Sequence, residues 1–267
     1  MSPLAPHTAL RLVETLAAVG VLVSSLECLA RPRTLTDTSL AAWPVLRLRH
    51  PRYAVGLAGT LLTPVVAYPA VLYLVAVRAA AATCLIPAAV HGPAHVALLA
   101  VVVASSMALG LRGVYGGEGA DQILKLTFCV LLLVSVHPTA TAARTGLWFL
   151  ALQACLAYFA SGIYKVTSPV WLDGTALTGV LSTRCYGHRW VAARLTAHPA
   201  AARWLSRSLS VSETLFPLVL VAPASWLPAF LAFGAAFHLA CAAVMGLNCF
   251  LWAFTALYPA VAYVVLR

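Results

Sequence analysis

Long apolar runs, closed by arginine, proline or glycine, follow one another along the whole 267-residue chain. Charges are nearly absent inside them, which is the pattern of helices crossing a bilayer rather than of soluble helices with one polar face. The first run, about Leu10 to Ala30, is interrupted by Arg11, Glu14 and Glu27 and lacks a small-residue cleavage site, so it is expected to be a span rather than a signal peptide. Glu14 and Glu27 either face other helices or sit near the two interfaces. A second span is expected over about Tyr53 to Val77, kinked by Pro64 and Pro69. Residues 79–90 read as a re-entrant or extending piece, and 94–111 as the third span. Gly113 to Gly119 reads as a flexible turn, since the Lys-Ser/Thr pair of a phosphate loop is missing.

A fourth span covers about Gln122 to Val136, with Asp121 and Lys125 one helical turn apart and placed to pair. His137-Pro138 ends it, and a fifth span runs from about Thr145 to Lys165. Residues 166–210 form the longest polar connection. There Arg184, Arg189, Arg194, Arg203 and Arg207 alternate with Trp190, Leu195, Trp204 and Leu205, a spacing suited to short amphipathic helices on the membrane surface. Val211 to Leu266, broken at Pro223–Pro228 and at Gly246-Leu247-Asn248, is expected to supply three more spans, with Glu213 opening the first. The fold class is therefore all-α: a polytopic bundle of about seven to eight spans (roughly six at the least) plus interfacial helices, forming a single domain over 1–267.

Composition agrees with the pattern. Hydrophobic residues make up 62% and charged residues 9%, against about a quarter charged in soluble domains. The net charge of +10 fits loops facing anionic lipid better than nucleic acid, because no polar domain carries a nucleic-acid-binding motif. The connections after spans one, three and five hold eleven arginines, so the positive-inside rule places the segment after Lys165 in the cytoplasm of a cell-membrane protein. Of seven cysteines only Cys185 lies in a polar loop, and no Cys/His spacing suggests a metal or a disulfide framework.

The candidate chemistry centres on Lys165. As the last charge of a span it is either an anchor that snorkels outward or a desolvated amine of lowered pKa able to act as a base. Ser168-Pro169 turns the chain, Trp171 returns to the interface, and Asp173-Gly174 caps a helix beginning at Thr175. Asp173 can orient or neutralise Lys165, or simply cap. His238 lies in mid-span, where a neutral imidazole must find a partner: an interhelical hydrogen bond, or a catalytic role. Glu213 either serves a helix N-terminus or joins the site.

The run YFASGIYK with W-x-D-G-T-A-L, then Ser-Glu-Thr-Leu-Phe-Pro, then FHLACAAVMGLNCF, resembles the HTTM family, the transmembrane domain shared with vitamin K-dependent γ-glutamyl carboxylase. The resemblance covers roughly residues 110–265. It implies that Lys165 is the base that deprotonates a reduced quinone cofactor; His238, Asp173 and Glu213 are the supporting candidates from the residues themselves. The segment His137 to Arg144 departs from the family's Asn/Arg-x-x-Ser-Leu-Asp-like pattern, and the chain does not include the carboxylase's large soluble region, so glutamate carboxylation does not follow. Small bacterial HTTM proteins are also similar to the membrane component of the sporulation-delaying toxin maturation system. This implies a peptide or small-protein partner, or a non-catalytic role as scaffold, accessory or immunity protein.

Overall fold

The computed structural model describes residues 4–49, 56–87, 91–113 and 119–267, of which helix accounts for 83%. The longer helices are α1 (Pro6–Ala30), α2 (Gly56–Val66), α3 (Ala70–Leu85), α4 (Gly92–Gly110), α5 (Gly119–Val136) and α6 (Ala140–Val166). They are followed by α7 (Pro169–Leu172), α8 (Thr175–Leu181), α9 (Arg189–Ala197), α10 (Pro199–Leu215), α11 (Leu227–Met245), α12 (Asn248–Thr255) and α13 (Tyr258–Leu266). Proline starts many of them, because a first-turn residue needs no N–H and its fixed φ suits helix entry. Pro93, Pro169, Pro199, Pro228 and Pro259 all stand there. Among the described residues no strand occurs, and six helical segments are long and apolar enough to cross a membrane. The bent pair α2–α3, at 73°, makes a seventh if counted as one span. The protein is an all-α helical bundle with the build of a polytopic membrane protein.

Several boundaries differ from the expected ones for definable reasons. Pro64 sits inside α2 without ending it, whereas the break falls at Pro69, after which α3 runs on to Leu85 and absorbs the first half of the expected re-entrant piece. Residues 88–90, and 114–118 of the expected glycine turn, lie outside the described residues. After Lys165 the expected three spans become two. Helix α10 carries on through Glu213 to Leu215, so Glu213 closes an amphipathic helix instead of opening a span, and Ala224–Met245 and Asn248–Leu266 are the membrane-length segments. Asp121 and Lys125 make no ion pair with each other among the described residues; a methyl group at Gly110 of α4 would lie 3.3 Å from the Lys125 ammonium.

The chain packs as two compact units, residues 11–143 and residues 144–267 with 1–10. In the first, α4 packs along α3 and α5. Among its described residues, the buried Glu14, Arg78 and Arg112 each make at least one hydrogen bond. Glu14 accepts from Arg11 at 2.6 Å and faces His95 of α4 at 3.0 Å, so it looks toward another helix, while Glu27 is exposed. Arg11 also donates to Leu85 O and Ile86 O, the free carbonyls at the end of α3. Arg78 donates to Ser25 at 2.9 Å, and Arg112 gathers the carbonyls of Leu35, Ala41 and Val66 around the buried Trp43–Leu46 turn.

In the second unit α11 packs along α12, and α10 crosses α6 at one close point. A Cβ at Gly162 would stand 2.3 Å from the Thr214 backbone nitrogen, so only glycine lets the helices approach this closely. Gly174, at φ +85°, is likewise set against the Ala202–Arg203 backbone. These contacts draw the interfacial helices onto the spans. Ser206 and Arg207 of α10 then tie down α7 by donating to Trp171 O and Leu172 O.

Candidate functional site

The second unit holds a half-open cavity of about 530 Å³, lined by side chains from α6 through α12, with Leu177, Val180 and Leu181 of α8 and Val191 and Leu195 of α9 among them. Helix α6 turns Tyr158, Ser161 and Lys165 to it, since steps of three and four residues keep side chains on one face. Helix α10 presents Leu205, Leu209 and Glu213, one turn apart, and α7 adds Trp171. The stripe Phe233, Phe237, His238 and Cys241 of α11 forms another wall. Phe250 and Phe254 of α12, returned by the reversal at Gly246-Leu247, form a further one.

Lys165 and Glu213 meet at the wall of this cavity. The ammonium donates to both carboxylate oxygens, at 2.7 and 2.6 Å, with only 15% and 1% of the two side chains exposed. The ammonium also lies 5.2 Å from the Trp171 ring centre and 5.7 Å from that of Phe237, so aromatic faces replace much of its water. The closeness of α6 and α10 at Gly162 and Thr214 explains the pair: Lys165 is three residues beyond the glycine, and Glu213 immediately precedes the threonine. Such a pair can exist as ammonium and carboxylate or, after passage of one proton, as amine and carboxylic acid. The second form carries no charge into an apolar surrounding.

Asp173 is not the partner of Lys165. It is exposed, outside the cavity lining, and its Oδ1 accepts from the Thr175 hydroxyl at 2.6 Å and the Thr175 N–H at 2.9 Å. The Thr175 hydroxyl, then its N–H, hold the carboxyl below its ordinary range. Asp173 therefore serves the start of α8, and Glu213 takes the position beside the lysine.

His238 is 2% exposed, and neither ring nitrogen has a hydrogen-bond partner. The expected interhelical hydrogen bond is not made. The imidazole instead stacks on Phe254 at 4.1 Å, meets Phe237 edge-on at 4.9 Å, and lies 5.5 Å from the Tyr158 ring. Aromatic partners that sequence reasoning missed complete the wall. Tyr158 stacks on Phe216 at 3.9 Å, and its hydroxyl pairs with that of Tyr258 at 2.8 Å. The spacing of Tyr158 and Lys165, two turns apart on one helix, was the available signal for Tyr158; nothing local announced Tyr258. His137 is exposed and lies in the other unit. Among the described residues no group of three or more His, Cys, Asp or Glu could hold a metal.

Chemically, the site joins one buried lysine–glutamate pair to a largely aliphatic and aromatic chamber, an arrangement suited to a small lipid-soluble molecule with few polar atoms. No family model matches the chain, and neither a curated protein nor a solved structure shows significant similarity to it.

Proposed function

We propose that this chain is a cell-membrane protein of the HTTM type, an enzyme whose Lys165–Glu213 pair takes a proton from a weakly acidic, apolar molecule drawn from the lipid phase. The observation that carries the reading is the buried pair at the wall of a 530 Å³ apolar cavity. The motif resemblance names a reduced quinone as the molecule. The residues present fit such a group: the volume lies within the range of small-molecule sites, the walls mix aliphatic side chains with aromatic rings, and the polar donors are few. When bound, a reduced quinone supplies a weakly acidic ring hydroxyl.

Lys165 then works through Glu213. The ammonium passes a proton to the carboxylate along a 2.6 Å hydrogen bond, and the resulting amine accepts the proton of the ligand's hydroxyl. The net acceptor is the carboxylate, and an ammonium is left facing the oxygen that gave up its proton. Trp171 and Phe237 keep water away from the pair, which strengthens that attraction.

The test is oxidation of a reduced naphthoquinone by oxygen in nanodiscs holding the wild-type chain, Lys165→Ala, Lys165→Arg or Glu213→Gln. Loss of a general base removes roughly a hundredfold or more of the rate. Full activity in the lysine variants at normal abundance would sink the proposal. The competing non-catalytic reading has its own support, because the pair clamps α6 to α10 beside Gly162. A charge-swapped chain, Lys165→Glu with Glu213→Lys, separates the two: a clamp tolerates the exchange and a base does not.

A further inference from the structure

We infer that His238 is the polar anchor of the cavity's ligand, and that the ligand is a flat, uncharged ring carrying a carbonyl or hydroxyl oxygen that hydrogen-bonds the imidazole. The inference rests on the proposed lipid-soluble ligand but concerns a different group from the proton-transferring pair.

Among the described residues, the buried side-chain nitrogens and oxygens without a hydrogen-bond partner are Nδ1 and Nε2 of His238 and Nε of Arg112. The Arg112 guanidinium is otherwise engaged by three carbonyls, whereas the imidazole has nothing. A neutral imidazole offers one donor and one acceptor, and leaving both unmet inside a protein is unfavourable. No described residue meets them. The rings of Phe237, Phe250, Phe254 and Tyr158 stand around it, and the Tyr158 hydroxyl is paired with that of Tyr258.

A lone water is a poor answer, since buried waters need two to four polar partners and aromatic rings supply none. A molecule with one oxygen toward the imidazole and the rest of its surface apolar satisfies the nitrogen and the walls together. Phe237 flanks both polar groups, 4.9 Å from the imidazole ring and 5.7 Å from the Lys165 ammonium. One ring system lying along Phe237 can therefore present oxygen to His238 while another hydroxyl faces the pair.

The experiment measures binding of an alkylated naphthoquinone and of the alkylnaphthalene of equal chain length to the full chain in nanodiscs, by quenching of tryptophan fluorescence. The naphthoquinone should bind roughly ten- to a hundredfold more tightly. His238→Phe should erase that preference while holding the alkylnaphthalene affinity within about threefold, and His238→Gln, which keeps a donor, should restore part of it. In nitrogen-labelled protein the imidazole resonances should move with the naphthoquinone and stay still with the alkylnaphthalene. Full oxidation rates in the Lys165 variants would sink the base reading, whereas the anchor is judged by ligand preference in the His238 variants alone, so the two failures are told apart. An undiminished preference in His238→Phe, equal affinities for the two probes in the wild type, or unmoved imidazole resonances with bound quinone would each overturn the assignment.

Discussion

Cutting the Lys165–Glu213 pair from either side should be far more damaging than removing it whole. In Glu213→Leu an ammonium of 15% exposure loses both carboxylate oxygens and keeps only the faces of Trp171 and Phe237. In Lys165→Met a carboxylate of 1% exposure loses its bidentate donor. Breaking a buried pair this way costs about 3–5 kcal/mol, because one desolvated charge is left unanswered, while apolar replacement of both partners is often near neutral. The double variant Lys165→Met/Glu213→Leu should therefore lie within about 1 kcal/mol of the wild type, giving a coupling energy of several kcal/mol. The assay is reversible unfolding in mixed micelles by increasing fractions of a denaturing detergent, followed by tryptophan fluorescence, for all four chains. Additive single effects would refute the claim that the charges are buried against each other.

Packing and pH supply three more tests. Gly162→Ala should destabilise by about 1–3 kcal/mol and Gly179→Ala should not, because an added methyl meets the Thr214 backbone at the first and nothing within 4 Å at the second; the same unfolding assay reports both. Asp173 has its carboxyl held low by Thr175, so its contribution is fully present above the ordinary aspartate value of 3.8 and lost as the pH falls through the depressed one. Asp173→Asn should flatten that acid limb in thermal melts, and an unchanged limb would count against the hydrogen bonds. Arg112→Lys should cost roughly 2–3 kcal/mol in the first unit, because a single ammonium cannot match a planar fork spread over three separate carbonyls; a variant as stable as the wild type in the unfolding assay would contradict this.

The spans were legible wherever a long apolar run ended at proline or charge. Residues 94–111, 122–136 and 145–165 were expected, and Gly92–Gly110, Gly119–Val136 and Ala140–Val166 are observed. The reading failed where hydropathy and amphipathicity overlap. Leu205, Leu209 and Glu213 share a face of one interfacial helix, yet the apolar residues after Val211 made the last turn of that helix look like the start of a span. Glu213 and Asp173 were both candidates beside Lys165, and the sequence alone could not choose between them. Likewise, 48 residues separate Lys165 from Glu213 and 100 separate Tyr158 from Tyr258, distances that no local spacing can bridge. Gly162 was the overlooked hint, since a glycine inside a long helix weakens it unless something packs close.

The same chemistry weighs between the two partner classes that the resemblance brings up. A peptide carries a donor and an acceptor at almost every residue, and each one desolvated without a partner is unfavourable by about 1–3 kcal/mol. The cavity walls offer few answers: Ser161, the imidazole of His238, and the Lys165–Glu213 pair, which already satisfies itself. An extended segment threading a chamber otherwise walled by leucine, valine, phenylalanine and tryptophan would leave most of its backbone unmet. A ring with two oxygens would leave none. A peptide partner is therefore better accommodated outside this chamber. The arginine- and tryptophan-bearing helices α9 and α10 expose Trp190 and Trp204 by 63% and 71% and offer the donors the cavity lacks. Substitutions at His238 or Lys165 should then alter small-molecule chemistry without weakening capture of a peptide, and crosslinks from a bound peptide should fall near the exposed Trp190 and Trp204 rather than on Phe237 or Phe254.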